Sequence, residues 1–528
     1  MCKRPILQAH KGVDSEYPEN TMSAFEAAVL QGYGYIELDP NYTSDNKIVV
    51  LHDRTINRTA RNNDGTTVEQ EINISDITYD KALEFDFGLS FSPRFKGEKL
   101  PLLEQVLSLA KENDIKIKLD SKIELFSPAA TENLYSLIKE YEDIIGITSA
   151  NPAMIEFYAE KFPKSELHYD GAVNDEVLNR LSVFGKRLTV WLPYESPMTS
   201  WVCVPFANEE LCNMVKKYAK LGIWIINDYE SYNYICKHLA PDIVETKGIV
   251  KPEINEGYLC DMHTHSRNSH DSEAIISKTA QSAQEKGISA IAVTDHCDIQ
   301  YFIDRDMRGC IRNSVAETEQ AAKEFNGSPM ILKGVEIGEG LWNEKYAYEI
   351  SMQSDYDVII GSVHAVRYKE IDIPYSCIDF SQMTDDEIDE YLNIYFDDVL
   401  AMLNMGLCDV MAHLTCPLRY INGKYKRNVS SRRYEEKIVA ILKYVIENAI
   451  ALEINTSGIG TGLGLLMPDE WIIEKFKDMG GYLITLGSDT HISQNVGNGF
   501  GEALDILKKY GFVNCYYYKN RKNIQYTI

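Results

Sequence analysis

The sequence has no C-x-x-C pair, no apolar run of 18 residues, no long basic run, no close repeat between its halves and no low-complexity tract. Each absence excludes something. The 11 cysteines are scattered and odd in number, so they suggest no disulfide framework and fit a reducing compartment; a cytoplasmic location is expected. Lacking a long apolar run, the chain offers no transmembrane helix, and its start, MCKRPILQAHKG, has no apolar core of the signal-peptide kind. Membrane insertion is therefore not expected. With 53 Lys and Arg against 79 Asp and Glu, the net charge is −26. Phosphate backbones are gripped by basic surfaces, so nucleic acid is not an expected partner and nuclease action is disfavoured. Nothing in the composition sets an oligomeric state.

What is present is enough for two cores. Chains beyond about 250–300 residues usually divide, and α/β barrels run to roughly 250 as one unit, so 528 residues suit two barrels. Hydrophobic residues make up 45% and charged residues 25%, as in globular enzymes. Apolar strand-like runs alternate with amphipathic stretches throughout. KRPILQAH, YGYIELD, KIVVLHD, DIKIKLD and WIIND read as strands in the first half. DMHTH, ISAIAVTDH, MILKGVEIG, YDVIIGSVH, CDVMAHL, IALEINTSG and YLITLGSDTH do so in the second, each ending in polar residues. Such alternation predicts an α/β class with parallel sheets, and polar strand ends are where α/β barrels build their sites. The Gly-, Pro- and Asn-containing stretch at 245–260 marks the expected boundary, giving domains at 1–250 and 257–528.

Five first-half fragments carry chemistry: Ala9-His10-Lys11-Gly12, Pro18-Glu19-Asn20-Thr21, Glu37-Leu38-Asp39, His52-Asp53 and Asp120-Ser121-Lys122. Glu37 and Asp39 alternate on one strand face and can hold a hard ion such as Mg²⁺ or Ca²⁺, with Asp120 as a third oxygen donor. His10 and His52 can act as a general acid–base pair beside a phosphate. Lys11 and Lys122 can stabilise its charge. Together these strings, above all AHKG…PENTMSAFEAAVLQGYGYIELD…VVLHDRTINRTA, resemble the glycerophosphodiester phosphodiesterase family over roughly residues 5–250. The resemblance implies a TIM (β/α)8 barrel and one divalent ion on Glu37, Asp39 and Asp120. It also implies catalysis by His10, His52 and Lys122, and hydrolysis of a glycerophosphodiester to glycerol 3-phosphate and an alcohol. Two positions depart from the family. Lys11 stands where it has Arg, losing the planar fork. Asp120 stands where it has Glu, one methylene shorter. Residues 61–100 lie where the family inserts a small subdomain on the alcohol side, and here they are rich in aromatics.

The second constellation reads Asp261-x-His263-x-His265, His270-Asp271, Asp295-His296, Glu336, His364, His413 and Asp489-x-His491. Seven of the chain's 11 histidines fall in it and two in the first-half set, which leaves only His168 and His238. Imidazole with carboxylate suits Zn²⁺, Mn²⁺ or Fe, and so many donors imply two to three ions with Glu336 bridging. The strings DMHTHSRNSHDS, AVTDH, KGVEIG, IIGSVH, VMAHLT, LEINTSG and GSDTH resemble the polymerase and histidinol phosphatase (PHP) family, nearest its histidinol-phosphatase branch, across roughly 257–525. The resemblance implies a distorted (β/α)7 barrel and the ligands His263, His265, Asp271, His296, Glu336, His364, His413, Asp489 and His491. Asp271 is preferred to His270 as a ligand, and Asp261, Asp295 and His270 can lie behind the donors. Arg419, in HLTCPLRY, resembles a phosphate-contacting arginine of that branch.

The expected protein is thus a bifunctional, metal-dependent phosphoesterase acting on small-molecule phosphoesters. The first barrel cuts a diester and the second a monoester, in sequence if the product of one feeds the other. Two other readings remain at this point. In one, the second barrel works independently on histidinol phosphate, a cyclic phosphate or a diester. In the other, the first barrel is a degenerate binding module, a reading that the Lys11 and Asp120 departures motivate.

Overall fold

The computed structural model describes residues 4–200, 202–252, 257–301 and 305–528. Two compact units divide it, Met1–Pro252 and Glu253–Ile528. Barrel strands are numbered here in chain order.

The first unit is a closed parallel barrel of eight strands. They are β1 (Ile6–Ala9), β2 (Tyr35–Leu38), β3 (Lys116–Leu119), β4 (Ile145–Ser149), β5 (Glu166–Tyr169), β6 (Leu188–Pro193), β7 (Lys220–Trp224) and β8 (Ile243–Thr246). Neighbours in the ring are neighbours in sequence, and β8 closes on β1 with Gln8 opposite Glu245. Most strand residues are buried on both faces, which is why the runs are almost unbroken in apolar side chains. Helices begin at side-chain caps; Thr21, for example, accepts from the Ala24 N–H ahead of the helix Met22–Leu30. The run KIVVLHD forms a strand but no barrel stave. Ile48–Val50 pairs antiparallel with Pro40–Tyr42 in a separate hairpin. Three staves, β4, β5 and β6, lie outside the runs read from the sequence, although β5 holds His168 and is followed by Asp170. The 61–100 stretch helps to close a satellite core, in which Ile74, Ala82, Phe85, Phe87 and Leu100 pack with Val49 and Leu51 of the hairpin. Phe95 instead joins the main core against Tyr17. These aromatics are packing groups.

The second unit has seven parallel barrel strands in sequence order: β9 (Cys260–Thr264), β10 (Ala290–Val293), β11 (Met330–Gly338), β12 (Val358–Ser362), β13 (Val410–Met411), β14 (Ala451–Asn455) and β15 (Ile484–Gly487). All seven fall on the runs read from the sequence. A short strand, His296–Asp298, adds to the side of β11. The ring is nearly closed. At its C-terminal rim, Asp489 N–H donates to the His263 carbonyl at 2.8 Å and His265 N–H to that of Thr490 at 2.9 Å. An antiparallel hairpin, Asn514–Lys519 with Lys522–Thr527, packs on β9 and β15. No helix among the described residues is long and apolar enough to cross a membrane.

Candidate active sites

In the first unit the marked residues gather at the C-terminal rim of the barrel. His10 follows β1, Glu37 lies in β2 with Asp39 just beyond, and Asp120 follows β3. His52 comes from the hairpin. Lys11 N–H donates to Glu37 Oε2 at 3.0 Å, and Asn20 Nδ2 to Asp39 Oδ2 at 2.9 Å. Lys122 Nζ donates to Asp39 Oδ1 at 2.7 Å and to the His52 carbonyl at 2.9 Å, with Asp120 Oδ2 3.9 Å away. Each histidine has an acid at Nδ1: Asp14 Oδ2 lies 2.9 Å from that of His10, and Asp53 Oδ1 2.6 Å from that of His52. Arg58 then bridges Asp53 and Glu19.

Charge is unevenly placed. Burial favours neutral Glu37 and the neighbouring Asp39 adds to that, so its pKa rises to about 8. Burial also favours neutral Asp39, yet Lys122, His52 and Lys11 hold it down to about 2. His10 is buried, which alone would lower its pKa, but Asp14, Glu37 and Glu245 lift it to about 9. Two buried carboxylates on one strand face are donors of the kind a hard cation takes, but Glu37, Asp39 and Asp120 are not drawn into a three-donor group of metal-holding spacing, as the second unit's donors are.

In the second unit Glu336 stands at the centre. Its oxygens lie 2.7 Å from His296 Nδ1, 3.0 Å from His413 Nε2, 3.2 Å from His364 Nε2, 3.3 Å from His263 Nε2 and 3.7 Å from His265 Nε2. Asp489 Oδ1 is 3.2 Å from His265 Nε2. Overlapping donor groups of metal-holding geometry run through His263, His265, His296, Glu336, His364, His413, Asp489 and His491. Asp271 sits at the rim, its side chain 47% exposed, 3.3 Å from His491 and 3.6 Å from His296. Nitrogen and oxygen atoms of the cluster, His263 Nε2, His265 Nε2, His296 Nδ1 and Glu336 Oε2, are buried without a hydrogen-bond partner. Buried polar atoms are normally satisfied. Borderline donors left open at one point fit transition ions. Burial opposes charge throughout. Even so, imidazoles hold Glu336 far below the usual carboxylate range, and Glu453, Glu336 and Asp489 lift His263 well above the usual histidine value. His265, buried among His296 and His491, is held well below it.

A pocket of about 310 Å³ opens on this cluster, lined by Asp271, His270, Asp298, Tyr375, Tyr420 and Arg419 among others. Arg419 donates to Ser457 Oγ at 3.1 Å, and Ser457 Oγ to Asp489 Oδ2 at 3.2 Å. Asp261 and Asp295 face away into structure. Asp261 accepts from the N–H groups of Ser488 and Gly497, Asp295 from Ser266 and Ser269.

Residues 10–187 match the Glycerophosphoryl diester phosphodiesterase family and residues 261–457 match the PHP domain. The first unit carries a phosphodiesterase-family region and the second a PHP domain. Both are phosphoesterase families, and the chain is a two-domain phosphoesterase. A "Probable histidinol-phosphatase" of Thermotoga maritima is 29% identical over 262 residues, covering 48% of this chain and 93% of that protein. A "Glycerophosphodiester phosphodiesterase" of Caldanaerobacter subterraneus subsp. tengcongensis is 36% identical over 152 residues. That match covers 28% of this chain and 59% of the relative. Among solved structures, histidinol phosphate phosphatase of Lactococcus lactis, complexed with zinc, L-histidinol and phosphate, aligns at 25% identity. The alignment covers 51% of this chain and 99% of that one, with a TM-score of 0.42.

Several residues of the two sites lie within or beside the motifs without being marked out by them. In the phosphodiesterase-family barrel these include Glu245, which accepts from Gln8 and Lys118, and the Arg58 bridge. In the PHP domain Glu453 Oε1 lies 2.7 Å from His263 Nδ1, and its Oε2 accepts the His413 N–H at 2.7 Å. Asp298 Oδ1 lies 2.9 Å from His364 Nδ1, and Glu339 accepts the N–H of Ala365 at 2.9 Å. The signal for Glu453 was available: in IALEINTSG an acid and an amide alternate with Leu452 and Ile454, as inward positions of a strand do.

Proposed function

We propose that the first barrel hydrolyses a glycerophosphodiester to glycerol 3-phosphate and an alcohol, and that the PHP domain hydrolyses a phosphate monoester. What carries this reading is the pair of separately built sites: an acid-paired couple of histidines beside Glu37 and Asp39, and Glu336 ringed by five imidazoles. The substrates are small molecules, and the eleven cysteines favour a reducing cytosol.

In the first barrel Asp14 and Asp53 hold the Nδ1 atoms of His10 and His52, which leaves Nε2 of each to exchange protons with the diester. Lys11 and Lys122 draw the phosphate by charge. Glu37, Asp39 and Asp120 would hold one Mg²⁺ or Ca²⁺. In the second, His263, His265, Asp271, His296, Glu336, His364, His413, Asp489 and His491 would hold two to three Zn²⁺, Mn²⁺ or Fe ions. Ions at such sites supply Lewis acidity toward the phosphoryl group and a nucleophile at neutral pH. Arg419, braced by Ser457, orients the monoester phosphate in the pocket. Glu453 and Asp298 fix the rings of His263 and His364.

The test uses the full chain with one site disabled at a time. His10→Ala is expected to abolish release of glycerol 3-phosphate from glycerophosphodiesters and to spare monoester hydrolysis; His413→Ala is expected to do the reverse. Diester turnover unchanged by His10→Ala would refute the first assignment. Monoester turnover unchanged by His413→Ala would refute the second.

A further inference from the structure

We propose that Lys122 is the resident counter-ion of Asp39, competes with a divalent cation for that carboxylate, and is handed to the substrate phosphate when the cation enters. The proposal rests on the phosphodiesterase reading of the first barrel and adds an order of events to it.

The geometry gives Lys122 two anchors. Its ammonium donates to Asp39 Oδ1 at 2.7 Å and to the His52 carbonyl at 2.9 Å, while Asp120 Oδ2, at 3.9 Å, lies beyond hydrogen-bond range. The other Asp39 oxygen is taken by the Asn20 amide at 2.9 Å. Asp39 therefore has one oxygen on a neutral donor and one on a cation. A divalent ion held by Glu37, Asp39 and Asp120 needs an Asp39 oxygen, and the Lys122 ammonium lies close to both flanking acids, 2.7 Å from Asp39 Oδ1 and 3.9 Å from Asp120 Oδ2. Two cations sharing one oxygen repel each other strongly in a buried setting where water screens poorly. One must leave. The lysine can, because its charge rides on a flexible four-carbon stem and its side chain is 28% exposed. It then moves as a free ammonium at the mouth of the site, where a phosphodiester arrives with a negative charge.

This reverses the usual expectation for a residue beside a metal site. A lysine that merely braced the ligands would, when removed, weaken ion binding. A lysine that competes would, when removed, strengthen it.

The experiment is calorimetric titration of the full-length protein with calcium chloride. The Glu37→Gln variant serves as the blank, so that the heat it loses is the heat of the first barrel. Lys122→Met and Lys122→Gln are each expected to bind calcium about tenfold more tightly than the unmodified chain, because the competing charge is gone. Both are expected to hydrolyse glycerophosphodiesters more slowly. Lys122→Arg keeps the charge and is expected to bind calcium within about twofold of the unmodified chain. Calcium affinity that falls or stays equal in both neutral variants would overturn the competition. Absence of first-barrel heat in every variant would overturn it together with the metal site. The phosphodiesterase reading would survive that last result if diester turnover persisted and still depended on His10.

Discussion

Glu453 offers the sharpest perturbation, because one carboxylate serves two candidate ligands at once. Oε1 lies 2.7 Å from His263 Nδ1, which leaves Nε2 of that ring toward Glu336; Oε2 accepts the His413 N–H at 2.7 Å. His413 itself sits at φ 22, a left-handed backbone that a non-glycine residue keeps only when held. In Glu453→Gln the side chain keeps its shape but has a single acceptor. Either the His263 ring or the His413 N–H must then face an amide NH₂, donor against donor. Leaving one buried donor unpaired costs about 1–3 kcal/mol. That corresponds to roughly a 5–150-fold loss, which spans the range of about 10–100-fold typical for partners behind a metal ligand. We expect the variant to lose about that factor in metal affinity, measured as ions retained per chain in a chelator-buffered series, and in kcat/KM for phosphate monoesters. Phosphodiester turnover should not change. Gly487→Ala should produce the same loss by a different route, since an added Cβ would lie 2.1 Å from Glu453 Oε1 and 2.8 Å from His263 Cβ. Full metal retention with unaltered phosphatase activity in Glu453→Gln would refute the reasoning, as would an equal loss of both activities.

Two further outcomes concern the first unit. Although burial favours their neutral forms, Glu19 and Asp53 are each held down to about 2 by Arg58 and its neighbours, so their contribution is present above their ordinary values and fades as pH falls toward 2. Arg58→Gln should therefore cost about 1 kcal/mol at pH 7, with urea melts converging on the unmodified chain between pH 5 and 2; a pH-independent difference would contradict this. Lys251 Nζ lies 2.6 Å from Glu16 Oε1 with both residues buried, so Lys251→Ala, which removes the ammonium from a buried carboxylate that Gln31 also contacts, should destabilise the first unit by about 3 kcal/mol. A thermal melt that does not move would show that the pair is not needed.

The parts of the fold that sequence reveals are those where a strand ends in chemistry. Each of the seven staves of the second unit carries a His, Asp, Asn or Glu at or near its rim end, so periodicity and motif pointed to the same place. In the first unit β4, β5 and β6 carry comparable residues, Asn151, His168 with Asp170, and Glu195, but none of them belongs to a motif, so a short buried strand such as Ile145–Ser149 drew no notice. His52 was visible as a motif residue, but its support on a hairpin was not, because IVV suits a barrel stave and a hairpin arm equally. The ring around Glu336 could be assembled from motifs alone. Its bracing could not: Asp298 and Glu339 act through hydrogen bonds between strands, and no spacing within one strand records a partner on another. Asp271 shows the same limit in reverse, since its place in DMHTHSRNSHDS did not reveal a side chain half open to solvent.

The bonds that bring β9 and β15 together join the backbones of His263, His265, Asp489 and Thr490, so the edge where the sheet becomes a barrel and the place where the donors meet are one structure. The two strands lie at opposite ends of the unit's sequence. Contacts of that span carry the largest loop-closure entropy and slow folding the most. During synthesis β9 emerges long before β15, so the donors that follow the two strands cannot meet until the unit's last barrel strand is made. On the metal-dependent reading proposed above, an ion held among these donors would clasp together the two ends of the unit's sequence.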